Sequence, residues 1–240
     1  MYQGSDLSVN RDFEYYMENL SDEEFFSRFT EDEMMKIKSH SIIHQFGKGQ
    51  ILFFQEDYKN YCYYLLKGLI RLEKTDETGD FQYIDYVTAH SFLPYGEFLN
   101  PDNMNKYTGF AATEIILLMI PRDLLEKITM QNNEQMIYMY QMIAEVLVFT
   151  ERRIQMTTIS SAKQRVIQTL AIWMYDLVQR MGDNIVIDYP LTIGELATVS
   201  GTTRETAGRV VKQLTKEDRI DFTRQEIIYL DLDYFNELLW

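Results

Sequence analysis

Residues 192–216 read TIGELATVSGTTRETAGRVVKQLTK. Thr192-x-x-Glu195 and Thr202-x-x-Glu205 each have the pattern of a capping box, in which the hydroxyl and the carboxylate bond to free backbone amides at the start of a helix. The pattern therefore predicts one helix after Thr192 and a second after Thr202. Gly201 stands between them, where a left-handed turn residue is needed, and the small Ala197 suits a close crossing of two helices. The segment therefore predicts a helix-turn-helix, a pattern that many helix pairs share.

The second of these helices is expected to reach about Lys216 and to have two chemically distinct faces. At about 100° per residue, one face is apolar and consists of Ala207, Val210, Val211 and Leu214. The opposite face carries Arg204, Glu205, Arg209 and Lys212. Arginine pairs with O6 and N7 of guanine and glutamate accepts from N4 of cytosine, so this face is suited to reading base edges. Lys212 and the Thr203 hydroxyl are candidates for phosphate contacts. The alternative is a solvated helix without a partner, in which Glu205 serves the capping box.

The charge balance favours specific over non-specific contact with nucleic acid. A net charge of −14 and a pI near 4.7 make the whole chain a poor non-specific binder. Residues 160–224, however, hold nine Lys and Arg against eight Asp and Glu, whereas residues 1–45 hold four against ten. This distribution indicates readout by a small basic face, with the salt dependence that phosphate contacts bring.

The remaining residues of the C-terminal region complete a small domain around the helix-turn-helix. The predicted elements are a helix over Ala162–Met181 ended by Gly182, a strand over Ile185–Asp188, a hairpin of Ile220–Thr223 with Ile227–Leu230, and a helix over Tyr234–Trp240 capped by Asp233.

A long helix is predicted from about Asn133 to Ser160, a stretch without glycine or proline. Its heptad positions recur at alternating spacings of four and three residues and are Met136, Tyr140, Ile143, Leu147, Thr150, Ile154 and Thr157. This pattern predicts that the helix pairs with its own copy in a homodimer. The two threonines weaken the seam, so support from the rest of the dimer is expected. The alternative is packing of this stripe on the strands of the same chain.

Residues 41–120 alternate short runs rich in Tyr, Phe, Ile and Leu with turn signals. Strands at this spacing predict a small barrel or sandwich, and one open sheet in an α+β domain is the alternative. Helices are predicted on both sides of the strands: Asp22–Phe29 and Glu31–Ser39, each after a capping box, and Arg122–Ile128 after Pro121.

The run RETAGR at residues 204–209, followed by VVKQL, resembles the recognition-helix signature of the CRP/FNR family, the cyclic-AMP receptor protein and its relatives. The resemblance extends in order over most of the chain. It implies an α+β fold with three parts: N-terminal helices and a cyclic-nucleotide-binding-like β-roll (a double-stranded jelly roll) over residues 1–130, a dimerisation helix over 131–160, and a winged helix-turn-helix over 161–240.

The same resemblance implies a homodimeric transcription regulator that binds double-stranded DNA, with RNA polymerase as a further partner. It makes Arg204, Glu205 and Arg209 the base-reading residues, and it associates this triplet with TGTGA-type half-sites in an inverted repeat. Relatives in low-GC bacteria, including regulators of the arginine deiminase pathway, are similar in this helix and also lack the usual effector signatures.

The effector signature of that family is present only in part. The family carries Gly-Glu for the ribose of a cyclic nucleotide, which matches Gly96-Glu97, and then Arg followed by Ser or Thr for the phosphate. Lys106-Tyr107-Thr108 stands near the second place, and no arginine lies between Arg71 and Arg122. Because lysine lacks the bidentate fork of arginine, we expect no cyclic-AMP binding, an unidentified effector or none, and no cofactor.

Other candidate sites are weak. The single cysteine, Cys62, excludes a disulfide framework and a four-cysteine iron–sulfur cluster within the chain, and it is expected to be a core residue, with redox sensing as the alternative. His40 and His44 have a spacing that places two metal ligands on one helix face, but no third ligand is evident. His90 as a haem ligand is supported by nothing else, so no metal site is predicted.

No nucleophile–base motif, P-loop or dinucleotide loop appears, so an enzyme is not expected. The first ten residues do not resemble a signal peptide, and the longest apolar run, Ile115–Ile120, is too short to span a membrane, which favours the cytoplasm. Two alternatives remain open: a small-molecule or redox-responsive sensor whose winged domain contacts a protein, and an enzyme with a metal-binding, cupin-like barrel.

Overall fold

The computed structural model describes residues 7–76, 78, 82–94, 97–157, 159–178, 180–181 and 185–239. The chain divides into two compact units, Met1–Arg71 with Val87–Val146, and Leu72–Tyr86 with Leu147–Trp240. The first unit holds most of the strand-rich region, and the second holds the helix-turn-helix.

The N-terminal segment of the first unit contains α1 (Leu7–Glu18), a 3-10 turn at Asn19–Asp22, and α2 (Glu31–His40). The capping box predicted before α2 is confirmed. The Thr30 hydroxyl accepts from the Glu33 amide at 3.4 Å, and the Glu33 carboxylate accepts from the Thr30 amide at 2.9 Å.

The helix predicted over Asp22–Phe29 is wrong, because residues 24–28 form turns. Phe25, Phe26 and Phe29 are all buried, and the ring of Phe25 stacks on that of Phe92 with centroids 4.3 Å apart. A helix of two turns is marginal on its own in water, so the burial of these rings outweighs the local helix signal.

The strands of this region are β1 (Ile42–Phe46), β2 (Ile51–Phe53), β3 (Tyr61–Lys67), β4 (Leu69–Thr75), β5 (Gln82–Thr88), β6 (Ser91–Leu93), β7 (Thr108–Ala111) and β8 (Ile115–Pro121). They form two sheets with the orders β1-β8-β3-β6 and β2-β7-β4-β5. The pairs β1–β8, β3–β8, β3–β6 and β2–β7 are antiparallel. Two sheets agree with the predicted roll and not with one open sheet.

The core of the first unit follows the period-two alternation of β3 and β8. Its buried members include Cys62, Tyr64 and Leu66 on β3, Ile116, Leu118 and Ile120 on β8, and Met34, Ile37, Leu125, Ile128 and Met139 on helices. The turn from β3 to β4 requires glycine, since Gly68 has a φ of +94° and an added Cβ would lie 2.4 Å from the Glu114 carbonyl oxygen.

Two consecutive helices follow β8: α3 (Arg122–Gln131) and α4 (Asn133–Thr157). The helix predicted to Ser160 is three residues shorter, and residues 159–161 are not helical. Gln135 and Met139 are buried, and Tyr138 and Met142 pack against the core of the first unit. The face of α4 that packs within the chain is therefore not the heptad stripe.

The second unit contains α5 (Ala162–Asp176), β9 (Arg180–Met181), β10 (Ile185–Ile187), α6 (Ile193–Val199), α7 (Arg204–Lys216), β11 (Ile220–Phe222), β12 (Ile227–Tyr229) and α8 (Leu232–Asn236). The four strands form one sheet with the order β11-β12-β10-β9. The predicted hairpin is confirmed as β11 and β12, which pair antiparallel.

Two helix ends predicted for this unit are wrong. The first helix ends at Asp176 and not at Met181, because Arg180–Met181 pairs with β10 as a strand; Gly182 lies outside the described residues. The last helix begins at Leu232, because the carboxylate of Asp231, not of Asp233, accepts from the Tyr234 amide at 3.1 Å.

Candidate nucleic-acid interface

The first helix of the helix-turn-helix and its turn form as the sequence predicts. The Thr192 hydroxyl accepts from the Glu195 amide at 3.1 Å, and the Glu195 carboxylate accepts from the Thr192 amide at 2.8 Å. Gly201 has a φ of +57°, the left-handed conformation expected there. The turn closes with a hydrogen bond of 2.9 Å from the Thr202 amide to the Ala197 carbonyl.

The start of α7 differs by one residue from the prediction. The N-cap is Thr203, whose hydroxyl accepts from the Thr206 amide at 3.2 Å, so the predicted Thr202–Glu205 capping box is wrong. Glu205 becomes the second residue of α7, and its carboxylate is not committed to the cap. The Thr203 hydroxyl, a candidate phosphate ligand, is already engaged in capping.

The two faces of α7 are divided as the helical wheel indicates. The inner face is buried and consists of Ala207, Val210, Val211 and Leu214. The side chains of Arg204, Glu205, Arg209 and Lys212 are exposed. Burial of the inner face anchors the helix in the second unit, and it leaves three basic groups and one carboxylate open to a partner.

Arg209 has a hydrogen-bond partner, Thr206, that is not among the residues predicted for this face. The Arg209 guanidinium donates to the Thr206 hydroxyl oxygen at 3.4 Å, and the Thr203 hydroxyl donates to the same oxygen at 3.1 Å. The i, i+3 spacing of these residues is the signal that points to this contact. The arrangement holds the Arg209 guanidinium loosely through Nη2 and leaves its other donors available.

The hairpin of β11 and β12 adds an exposed basic residue. The turn between its strands is held by Thr223, whose hydroxyl accepts from the amides of Gln225 and Glu226 at 3.2 and 3.0 Å. Arg224 lies exposed in this turn. The sequence predicted the hairpin, but no pattern in it singles out Arg224.

The heptad stripe of α4 is mostly exposed. Met136 is half-buried, while the exposed fractions of Tyr140, Ile143, Leu147 and Ile154 are 74%, 41%, 58% and 59%. Thr150 is also exposed, and the side chain of Thr157 lies outside the described residues. The alternative in which this stripe packs on the strands of the same chain is therefore disfavoured.

Comparisons with known proteins agree with this architecture. Residues 43–132 match the family model "Cyclic nucleotide-binding domain", and residues 164–238 match "Crp-like helix-turn-helix domain"; together they span more than half of the chain. The chain belongs to the CRP/FNR family of transcription regulators. The predicted family and fold class are thereby confirmed.

Individual relatives of this CRP/FNR chain are distant. It is 24% identical over 184 residues to the HTH-type transcriptional regulator ArcR of Staphylococcus haemolyticus, and the aligned residues cover 76% of this chain and 80% of that protein. A CRP/FNR-family regulator from Thermus thermophilus shares 25% identity with a TM-score of 0.59, covering 82% and 98% of the two chains. FixK2 from Bradyrhizobium japonicum shares 16% identity with a TM-score of 0.70, covering 82% and 96%.

Glu97, which matches the ribose-binding glutamate of the CRP/FNR family, already forms an ion pair. The Glu97 carboxylate accepts from the Lys59 ammonium at 2.8 Å, and the exposed fractions of the two side chains are 12% and 1%. Gly96 lies outside the described residues. A carboxylate that is buried against a lysine is poorly placed to receive the hydroxyls of a ribose.

Two further cations of the first unit, Lys106 and Arg122, are also bound by groups of the same chain. Lys106 pairs with Asp102, and this contact raises the pKa of the Lys106 ammonium and lowers that of the Asp102 carboxyl. Arg122, largely buried, donates to the Glu126 carboxylate at 2.7 Å, to the Asn100 carbonyl at 2.8 Å and to the Asn103 side chain.

Among the described residues, no group of three or more His, Cys, Asp or Glu side chains is arranged to hold a metal ion. Cys62 is buried, and desolvation by this burial raises the pKa of its thiol, which disfavours the reactive thiolate. His40 ends α2 whereas His44 lies on β1, so the two do not share a helix face. His90 contacts the Glu23 carboxylate at 2.7 Å.

Within the part of the chain that the structure describes, no helix has both the length and the apolar character required to cross a membrane.

Proposed function

We propose that this CRP/FNR chain is a homodimeric transcription regulator that reads an inverted-repeat DNA site with α7 and does not require cyclic AMP. The observation that carries the proposal is the division of α7: Arg204, Glu205 and Arg209 are exposed while the opposite face is buried. The second unit anchors the helix, and the exposed face has the groups that recognise base edges in a major groove.

The side chains of this face suit a TGTGA-type half-site. Such a half-site offers two guanines on one strand and the paired cytosines on the other. Arg204 and Arg209 supply forks for guanine O6 and N7, and Glu205 supplies an acceptor for cytosine N4. Because Thr203 caps α7, Glu205 is available for this role.

Phosphate contacts would come from the edges of this surface. Lys212 lies on the exposed side of α7, and Arg224 lies in the turn of the hairpin. Contacts of this kind position a protein on the duplex without reading its sequence. We keep Thr203 as a weaker phosphate candidate, since its hydroxyl already caps the helix.

The second copy in the proposed dimer packs on the heptad stripe of α4. Tyr140, Ile143 and Leu147 are large apolar side chains in heptad register that the chain itself leaves exposed. Regulators of this family bind DNA and typically act as dimers. Pairing through α4 would present two recognition helices to successive major grooves about 34 Å apart, which is the spacing that an inverted repeat needs.

The pairing of Glu97 with Lys59 supports independence from cyclic AMP. A ligand that used Glu97 would first have to break a buried ion pair, and removal of one partner from such a pair is strongly unfavourable. No arginine follows at the phosphate position.

We further propose RNA polymerase as a partner, the cytoplasm as the location, and no enzymatic activity.

The test is selection of bound oligonucleotides from a random pool by the purified protein, with and without cyclic AMP. We expect enrichment of an inverted repeat with TGTGA-like half-sites, equally in both conditions, and a protein that sediments as a dimer. Recovery of random sequences would contradict specific reading by α7. Enrichment that depends on cyclic AMP would contradict the proposed independence from it.

A further inference from the structure

One arginine of the second unit bonds to two separate chain segments at once. Arg165 is the fourth residue of α5, and its guanidinium donates to four backbone carbonyls. Nε reaches the Ser200 oxygen at 3.0 Å and Nη2 reaches the Gly201 oxygen at 2.9 Å. Nη1 reaches the oxygens of Ile159 and Ser160 at 3.0 and 3.1 Å.

The four carbonyls lie just beyond the ends of two helices. Ser200 is the C-cap of α6 and Gly201 is the turn residue, while Ile159 and Ser160 follow α4, which ends at Thr157. Ser200 ends α6, where carbonyls lack intrahelical partners, whereas Ile159 and Ser160 lie in the α4–α5 connection, outside both helices. A guanidinium has five donors in a rigid planar fork and is always charged, so one side chain can bond to both segments.

We infer that Arg165 is a positioning residue for DNA reading. Its guanidinium holds the α4–α5 connection and the turn of the helix-turn-helix together by hydrogen bonds to both. This inference rests on the proposed function of α7. Arg204 is only three residues beyond Gly201, so any freedom of the turn is passed to the N-terminal end of α7. Reading base edges requires side chains to be held within about 0.5 Å of the productive geometry.

The fold of the second unit does not depend on this fork alone. Val166, Leu170, Ala207 and Leu214 are fully or almost fully buried, and the Tyr229 hydroxyl donates to the Leu170 carbonyl at 2.8 Å. These contacts hold α5, α7 and β12 together without Arg165. Loss of the guanidinium should therefore loosen the two carbonyl segments while the domain stays folded.

The test compares Arg165→Gln and Arg165→Lys with Lys163→Gln in the full-length protein. Lys163 is exposed on the same helix, so its replacement removes the same charge without the four contacts. Binding to the enriched duplex is measured by fluorescence anisotropy at a temperature where circular dichroism shows each variant to be folded. Hydrogen exchange of the free protein is measured over residues 159–161 and 198–203.

We expect Arg165→Gln to weaken binding to the enriched duplex about tenfold or more, since several carbonyls lose a charged donor, and Lys163→Gln to change it less than about threefold. Exchange should rise in both segments of Arg165→Gln. Arg165→Lys should not restore binding, because an ammonium cannot reproduce the planar fork.

Binding by Arg165→Gln equal to wild type, full restoration by lysine, or faster exchange in only one of the two segments would each overturn the inference. If Arg165→Gln does not fold, the same comparison is made with Arg165→Lys. Failure of the wild-type protein to prefer any duplex is the separate result that overturns the proposed function, and the exchange measurement does not depend on it.

Discussion

The exposed face of α7 and the region around Glu97 differ in whether their charged side chains are free or paired. On α7, Arg204, Glu205 and Lys212 are exposed and form no ion pair within the described part of the chain. In the first unit, by contrast, Lys59 is buried and bound to Glu97. The difference indicates where a polar ligand can bind: the charged groups of α7 are available to it, whereas Lys59 and Glu97 already neutralise each other.

The largest effect is expected when the internal pair is broken. Lys59→Ala leaves the Glu97 carboxylate unpaired in a largely buried place, which should lower the free energy of unfolding by about 3–5 kcal/mol. The measurement is chemical denaturation followed by circular dichroism. The matched control is Lys106→Ala, which removes a lysine from an exposed pair and should leave the unfolding midpoint nearly unchanged. Equal midpoints for both variants would show that Glu97 is not held as described.

The next effect concerns the exposed apolar stripe of α4. Leu147→Glu places a charge where two copies are proposed to meet, and loss of two buried leucines should weaken dimerisation by about 3 kcal/mol. Sedimentation should show a shift to monomer with little change in secondary structure, because Leu147 is exposed within the chain. Glu145→Lys, an exposed change off the stripe, is the control. A Leu147→Glu dimer as tight as the wild type would place the dimer contact elsewhere.

On α7, alanine substitution of a base-reading residue and of a phosphate-contacting residue should affect DNA binding differently. Arg209→Ala should weaken binding to the specific site by about 1–3 kcal/mol and relax selection at one guanine, whereas Lys212→Ala should weaken binding to all duplexes alike. Gel-shift series on the specific site, on single-base variants and on random DNA distinguish the two. An equal loss on specific and random DNA for Arg209→Ala, or a base-selective loss for Lys212→Ala, would reverse the assigned roles.

The smallest effect is expected at Gly208, inside α7. A Cβ there would meet Ile193 at an ordinary 3.8 Å, so the fold does not demand glycine. Gly208→Ala should raise the free energy of unfolding by about 0.5–1 kcal/mol through helix propensity. Gly68→Ala is the contrasting control, because its positive φ and close carbonyl predict destabilisation. A destabilised Gly208→Ala would mean that α6 and α7 pack more tightly than the structure indicates.

The two regions also differ in how much of them the sequence predicts. The helix-turn-helix follows from local signals, since the Thr192 capping box, the turn at Gly201 and the two faces of α7 all depend on residues a few positions apart. The predicted cap of α7 is off by one residue because Thr202 and Thr203 are chemically equivalent N-caps, and only the turn geometry selects between them.

Contacts between residues far apart in the sequence do not follow from such local signals. The Lys59–Glu97 pair joins residues 38 positions apart, and Phe25 stacks on Phe92 in place of the predicted helix. The four partners of Arg165 are backbone carbonyls, which leave no trace in the side-chain pattern. These features depend on tertiary packing, which decides among local structures of similar free energy.

Base reading by α7 is measured most directly as the ratio of wild-type affinities for the enriched inverted repeat and for a scrambled duplex of equal length and composition, at one fixed salt concentration. If the exposed face of α7 reads base edges, the ratio should be at least about 10³, as for specific DNA-binding proteins. A ratio near one would mean that α7 does not read base edges, because phosphate contacts alone do not distinguish the two duplexes.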